Sequence, residues 1–168
     1  MKQIPYLNLK AIHEPIQEKL DAVYHDIMEK QWFIQGEYDA RFEKAYAEYC
    51  VAKYCIGVGN GLDAIRLILM GLDIGAGDEV IVPANTFIAT VLAVTYVGAT
   101  PVFVDADMDT CNIDIDKIEE KITKKTKAII GVHLYGRAVD FDRLQSLKDK
   151  YELYLVEDAA QGHGAVLE

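Results

Sequence analysis

The 168-residue chain is 51% hydrophobic and 26% charged, with a formal net charge of -10. This is an ordinary soluble globular mix, long enough for one domain with a sizeable core. The acidity argues against nucleic acid and anionic membrane surfaces as partners, because both need clustered Lys and Arg. A single phosphate held by backbone amides stays open.

In chain order, "HEPIQEKLDAVYHDIMEK" predicts a helix with Ile16, Leu20, Val23 and Ile27 on one face. After a break at "QWFIQGEY", a second helix is expected from Tyr38 to Tyr49, with Phe42, Ala45, Tyr46 and Tyr49 facing inward. Short apolar runs then alternate with helical segments. Strands are expected at 54–58, 79–83, 101–105, 127–134 and 152–158, and helices at 61–72, 86–99 and 140–151. A shorter helix is expected in "DIDKIEEKI". The strand runs are near-continuous Val, Ile and Leu, as in a sheet covered on both faces. The pattern therefore predicts an α/β fold, a mostly parallel sheet with helices on both faces.

Three cysteines, Cys50, Cys55 and Cys111, cannot all pair within one chain, which favours a reducing, cytoplasmic compartment. The opening "MKQIPYLNLK" lacks an apolar signal core, and the longest apolar stretch, 87–99, is shorter than the roughly 20 residues that span a bilayer.

Ligands of parallel sheets bind beyond the carboxyl ends of the strands, so the chemistry is sought there. In "GVGNGLDAIRL" glycines close a strand and open a helix, exposing backbone N–H groups as an anion site. Leu62 stands where a dinucleotide fingerprint needs glycine, which disfavours a nicotinamide cofactor. The bland alternative for these glycines is a tight turn without a ligand. In "PANTFIAT" Asn85 or Thr86 can cap the next helix. Phe87 is either a core aromatic or an exposed ring that stacks on a planar cofactor. In "VEDAAQGHGA" Asp158 ends an apolar strand, and a partly desolvated carboxylate needs a cation. A protonated pyridine nitrogen would serve; the alternatives are a helix cap or the acid of a phosphate or metal site. Glu157 points the opposite way by strand alternation and reads as structural.

Metal sites find little support. "DADMDT" starts like a calcium loop with Asp105, Asp107 and Asp109, but Thr110 replaces the turn glycine and Asp116 the bidentate glutamate. Cys50 and Cys55 lack partners at zinc spacing. His133 and His163 read as satisfied core or loop histidines.

The stretches "IPYLNLKAI", "QWFIQGEYDARFEKAYAEYC", "GVGNGLDAI", "GDEVIVPANTFIAT", "GATPVFVDAD", "NIDI", "VHLYGR" and "VEDAAQGHGA" together resemble the N-terminal part of the DegT/DnrJ/EryC1/StrS sugar aminotransferases. The resemblance implies the large domain of a type-I pyridoxal-5'-phosphate (PLP) transferase fold, usually a homodimer. It implies transfer of an amino group, commonly from glutamate, to a nucleotide-linked keto sugar. "IPYLNLK" and "GNGLDAI" look most like the branch acting on dTDP-linked 3-keto-6-deoxyhexoses. Asp158 would pair with the pyridine nitrogen, Gln161 would hydrogen-bond the ring hydroxyl and Phe87 would stack on the ring. Gly61 and Leu62 would hold the phosphate through their amides, with Asn60 beside them. Arg137 stands where many relatives have glutamine.

The resemblance also divides the chain into an N-terminal helical segment, 1–50, and a partial cofactor-binding domain, 51–168, without the small C-terminal domain. The family's Schiff-base lysine belongs to a "SFYPGKNLG"-like segment, and the ten residues after Asp158 contain no lysine. The expectation is a chain without transaminase activity of its own. The alternative is a non-catalytic module that binds cofactor or sugar nucleotide, or self-associates.

Overall fold

A computed structural model of the protein describes residues 4–166. Its contacts divide the chain into two compact units, one ending at Gly57 and the other beginning at Val58.

The first unit is helical. A single turn, α1 (Lys10–His13), and a 3-10 turn lead into α2 (Gln17–Lys30), and α3 (Glu37–Tyr49) follows. Val23 and Ile27 are half-buried, but no described residue of this unit is buried. Phe42, Ala45 and Tyr49 are exposed, contrary to the inward orientation expected of them. Their spacing makes a real apolar face, and Phe42 stacks on Tyr46 at 5.4 Å. Among the described residues of the unit no second layer buries that face. The strand expected at 54–58 also does not form. An apolar run becomes a strand only with a hydrogen-bonding neighbour; here the Gly57 N–H donates to the Glu43 carboxylate at 2.7 Å instead.

The second unit is a four-stranded, all-parallel sheet in the order β2-β1-β3-β4. Its strands are β1 (Glu79–Pro83), β2 (Thr100–Val104), β3 (Thr126–Val132) and β4 (Tyr154–Asp158). The helices are α4 (Gly61–Gly71), α5 (Ile88–Tyr96) and α6 (Phe141–Tyr151). Alternation along each strand builds two cores. Val80, Val82, Ala128, Ile130, Val132 and Val156 face α4 and α5, where they meet Ile65, Leu69, Ala93 and Val94. Ile81, Ile129 and Leu155 face the other way, towards Leu144 of α6 and the buried Ile113 and Ile118. Burial of such side chains stabilises a fold by about 1.5–3 kcal/mol each. Gly131 is needed on the second face, because a Cβ there would lie 3.1 Å from atoms of Leu144, Phe141 and Val139.

The "DIDKIEEKI" segment forms two 3-10 turns, Ile115–Lys117 and Glu119–Lys121, instead of a helix. The Asp114 side chain accepts from the Asp116 N–H and sets the first of these tight turns. In "DADMDT" the Asp107 carboxylate accepts from the N–H groups of Asp109 and Thr110 at 3.1 and 2.8 Å, so it is occupied in shaping its own loop.

Candidate active site

Alternation puts Asp158 on the same sheet face as Val156, the face covered by α4 and α5. The tip of β4 therefore opens towards the N-termini of both helices. A cavity of about 420 Å³ lies there. Its lining includes all six residues singled out in the sequence: Asn60, Gly61, Leu62, Phe87, Asp158 and Gln161. Ile65, Val132 and Leu134 supply an apolar floor. Asp158 is the single charged residue in the lining, and no lysine, arginine or histidine shares it among the described residues.

Two donors hold the half-buried Asp158 carboxylate. Oδ2 accepts from the Thr90 hydroxyl at 2.8 Å and Oδ1 from the Ala160 N–H at 3.2 Å. Behind Thr90, the Thr86 hydroxyl lies 2.9 Å from the Thr90 oxygen. Thr86 is thus engaged with Thr90 and does not cap α5, and the Asn85 amide donates to the Cys111 carbonyl at 2.9 Å. The α5 helix begins after Phe87 without a side-chain cap, and the Phe87 ring is 70% exposed at the cavity edge.

At α4 the Asn60 side chain accepts from the Asp63 N–H at 2.9 Å. Asn60 is therefore the helix cap, and the amides of Gly61 and Leu62 find no acceptor among the described residues. Free N–H groups at a helix start, next to the cavity, fit an anion.

Gln161 is oriented from the β3 side. Its Oε1 accepts from the Tyr135 N–H at 2.7 Å, which leaves its amide nitrogen to donate. Tyr135 takes a left-handed conformation, φ 59°, to present that N–H.

His133 ties the same segment down from the opposite face. Its N–H donates to the Asp158 carbonyl at 3.1 Å, and its Nδ1 accepts from the Val139 N–H at 3.0 Å. Val139 thereby puts the neutral ring's proton on Nε2, which meets Glu157 at 2.5 Å. Glu157 faces away from the cavity, as strand alternation expects, and His133 is a satisfied core histidine. Arg137 lies outside the cavity and donates to the Asp109 carbonyl at 2.9 Å.

Sequence reasoning missed Thr90 and Tyr135, and gave Thr86 only a capping role. The two threonines carried a usable signal: they stand one helical turn apart at the start of an otherwise apolar segment. Tyr135 carried none, because only its backbone acts.

This fold is that of the type-I PLP-dependent transferases. Solved structures that align with the chain include S. venezuelae DesV in complex with a ketimine intermediate, with a TM-score of 0.95 at 43% identity over 98% of this chain and 44% of that one. NtdA from Bacillus subtilis with bound cofactor PMP aligns with a TM-score of 0.91 at 37% identity, over 98% of this chain and 38% of that one. The chain belongs to the DegT/DnrJ/EryC1/StrS aminotransferase family, whose profile matches residues 14–168. Among curated relatives, it is 51% identical to a dTDP-3-amino-3,6-dideoxy-alpha-D-galactopyranose transaminase of Aneurinibacillus thermoaerophilus, over 97% of this chain and 45% of that protein. It is 44% identical to a dTDP-3-amino-3,4,6-trideoxy-alpha-D-glucose transaminase of Streptomyces venezuelae, over 97% of this chain and 43% of that protein. The chain thus spans less than half the length of these relatives. Among the described residues no helix is long and apolar enough to cross a membrane.

Proposed function

We propose that the cavity at the tip of β4 holds pyridoxal 5'-phosphate, or its amine form PMP, as part of an aminotransferase acting on a nucleotide-linked keto sugar. The carrying observation is Asp158: among the described residues it is the only charge in the cavity lining, it is fixed by two donors, and no cation shares that lining with it. A carboxylate in that state favours a cationic ligand group. The donor set fits the rest of the coenzyme. The amides of Gly61 and Leu62 suit its phosphate, the Gln161 amide nitrogen suits its ring hydroxyl and the Phe87 ring suits its planar face.

When bound, the coenzyme supplies an electron sink for the carbon that bears the amino group. Asp158 keeps the proton on the ring nitrogen. Gln161 donates to the ring oxygen and fixes the ring's rotation in its plane. Phe87 covers a ring face and keeps water from it, while Ile65, Val132 and Leu134 strengthen the Asp158 contact by excluding solvent. No described lysine lines the cavity, so the proton shuttle between substrate carbon and coenzyme has no lysine to carry it there. This 168-residue chain alone is accordingly read as binding-competent and without transaminase activity.

The names of the sequence relatives support a dTDP-linked 3-keto-6-deoxyhexose as the acceptor; glutamate is the amino donor that the family resemblance implies, in deoxysugar biosynthesis of the kind that feeds O-antigen assembly. The three free thiols support a cytoplasmic setting.

The test is titration of the chain with PMP, which cannot form stray lysine adducts, followed by fluorescence. Asp158→Ala is expected to weaken binding about 10- to 100-fold, the scale of a charge-assisted hydrogen bond. Equal binding by both proteins would remove the coenzyme from this site. Borohydride reduction after incubation with PLP is expected to label no single lysine; one uniquely modified lysine would overturn the inactive reading.

A second reading, self-association, is favoured by the first unit. Leu20, Tyr24 and Met28 recur every four residues along α2, and all are exposed, as are Phe42 and Tyr49 of α3. A patch of that kind commonly marks an interface. Homodimers are expected by native mass spectrometry, and a strictly monomeric chain at tens of micromolar would discard this reading.

A further inference from the structure

We infer that Thr90, with Thr86 behind it, is a positioning residue for the coenzyme: two hydroxyls in series hold the Asp158 carboxylate in the orientation that a protonated ring nitrogen meets. The inference rests on the coenzyme reading above and adds to it the part played by α5.

Thr90 is 1% exposed in a helix otherwise made of Ile, Ala, Val, Leu, one further Thr and Tyr. Valine has nearly the same shape and would fill that position without a hydroxyl to satisfy. A buried helical threonine usually returns its proton to the carbonyl one turn back. Thr90 instead donates to a carboxylate 68 residues away in sequence, at 2.8 Å.

The proton order follows from that contact. An ionised carboxylate has no hydrogen, so the Thr90 proton points at Asp158 Oδ2. The Thr90 oxygen is then left as an acceptor, and the 2.9 Å contact with Thr86 takes its hydrogen from the Thr86 hydroxyl. Both hydroxyls are polarised in one direction, towards the carboxylate, and each strengthens the other. Thr86 also lines the cavity. With its hydrogen committed to Thr90, it presents only an acceptor to whatever enters.

On the other side, the Ala160 N–H takes Oδ1 at 3.2 Å. One donor comes from α5 and the other from the turn after β4, so the carboxylate is gripped at both oxygens. Each oxygen keeps acceptor capacity for the ring N–H. Without Thr90 the single remaining contact is the longer one, and the carboxylate regains rotational freedom that binding must remove. Freezing such a side chain costs affinity, about tenfold at the upper end.

The experiment measures PMP affinity for the chain and for Thr90→Val, Thr90→Ser and Asp158→Ala, with Thr90→Val also placed in the Asp158→Ala background. Weak complexes are followed by ligand-observed NMR. Thr90→Val is expected to bind PMP about tenfold more weakly, Thr90→Ser to come back to within about twofold of the parent, and Thr90→Val to change nothing once Asp158 is alanine. Parent-like binding by Thr90→Val overturns the inference. So does an equal loss in both backgrounds, which would make Thr90 a packing residue. If Thr90→Val fails to fold, Thr86→Val breaks the chain one link back at a half-buried position; a loss of about threefold is expected, and parent-like binding overturns the inference. Equal affinity of the parent and Asp158→Ala removes the coenzyme reading itself and the inference with it.

Discussion

Gly162→Ala places one methyl group where the turn after β4 crosses His133. A Cβ built on Gly162 lies 2.6 Å from the His133 Cβ, 3.3 Å from its Cγ and 3.4 Å from its Cδ2. Carbon atoms rest about 3.5–4.0 Å apart, so the backbone must open by roughly 1 Å. His133 cannot yield. Its N–H is bonded to the Asp158 carbonyl, Nδ1 to the Val139 N–H and Nε2 to Glu157, and Phe141 lies against the ring with centroids 5.5 Å apart. The turn must therefore move, at a cost of about 1–3 kcal/mol, the usual range for an overpacked methyl. The same displacement disturbs the Ala160 N–H and Gln161, so PMP affinity falls along with stability. Equilibrium urea unfolding measures the first effect and PMP titration the second. Gly71→Ala is the reference, since a Cβ at that last residue of α4 meets nothing within 4 Å. It is expected to be neutral or stabilising by up to about 1 kcal/mol. A Gly162→Ala chain as stable as the parent, or a Gly71→Ala chain equally weakened, would refute the steric reasoning.

Other substitutions separate fold from site. Phe87→Ala is expected to leave the unfolding midpoint nearly unchanged, because the ring is exposed, while weakening PMP binding; a large stability loss with intact binding would make Phe87 a core residue. Leu69→Ala empties a fully buried position between α4 and the sheet and is expected to cost about 2–5 kcal/mol by thermal or urea unfolding. The Thr110 hydroxyl, and after it the Thr110 and Asp109 N–H groups, hold the Asp107 carboxyl below its ordinary value of 3.8. A depressed carboxyl contributes stability that is complete above that ordinary value and lost as pH falls through the folded one. Asp107→Asn should therefore flatten the acid limb of a urea-midpoint series, and an unchanged limb would assign acid sensitivity elsewhere. Lys150 lowers Glu119 and is raised in return, so their contact is complete at neutral pH and weakens only towards either extreme.

The sheet was legible because its strands are buried on both faces and read as unbroken apolar runs bounded by turn residues. All four observed strands fall within a residue or two of their expected positions. The same signal misled at 54–58, since apolarity marks a segment that can pair and says nothing of whether a neighbour pairs with it. The inward faces assigned to α3 failed for a related reason: periodicity identifies an apolar stripe, and only a covering layer buries it. The 3-10 turns at 115–121 escaped notice because isoleucines three and four apart suit either helix type. At the site, residues with chemical side chains at strand ends were legible as candidates, and the cavity gathers them. Thr90 was not, because its role depends on a partner 68 positions away. The same holds for Tyr135, which works through a backbone N–H in a left-handed conformation that the sequence does not announce.

The most direct measurement uses PMP isotopically labelled at its ring nitrogen, bound to the chain and observed by NMR at neutral pH. A ring nitrogen that stays protonated in the parent complex, and loses that signature in Asp158→Ala, is the expected result. A bound ring with the same nitrogen signal in both proteins would mean that the carboxylate at the tip of β4 is not its partner.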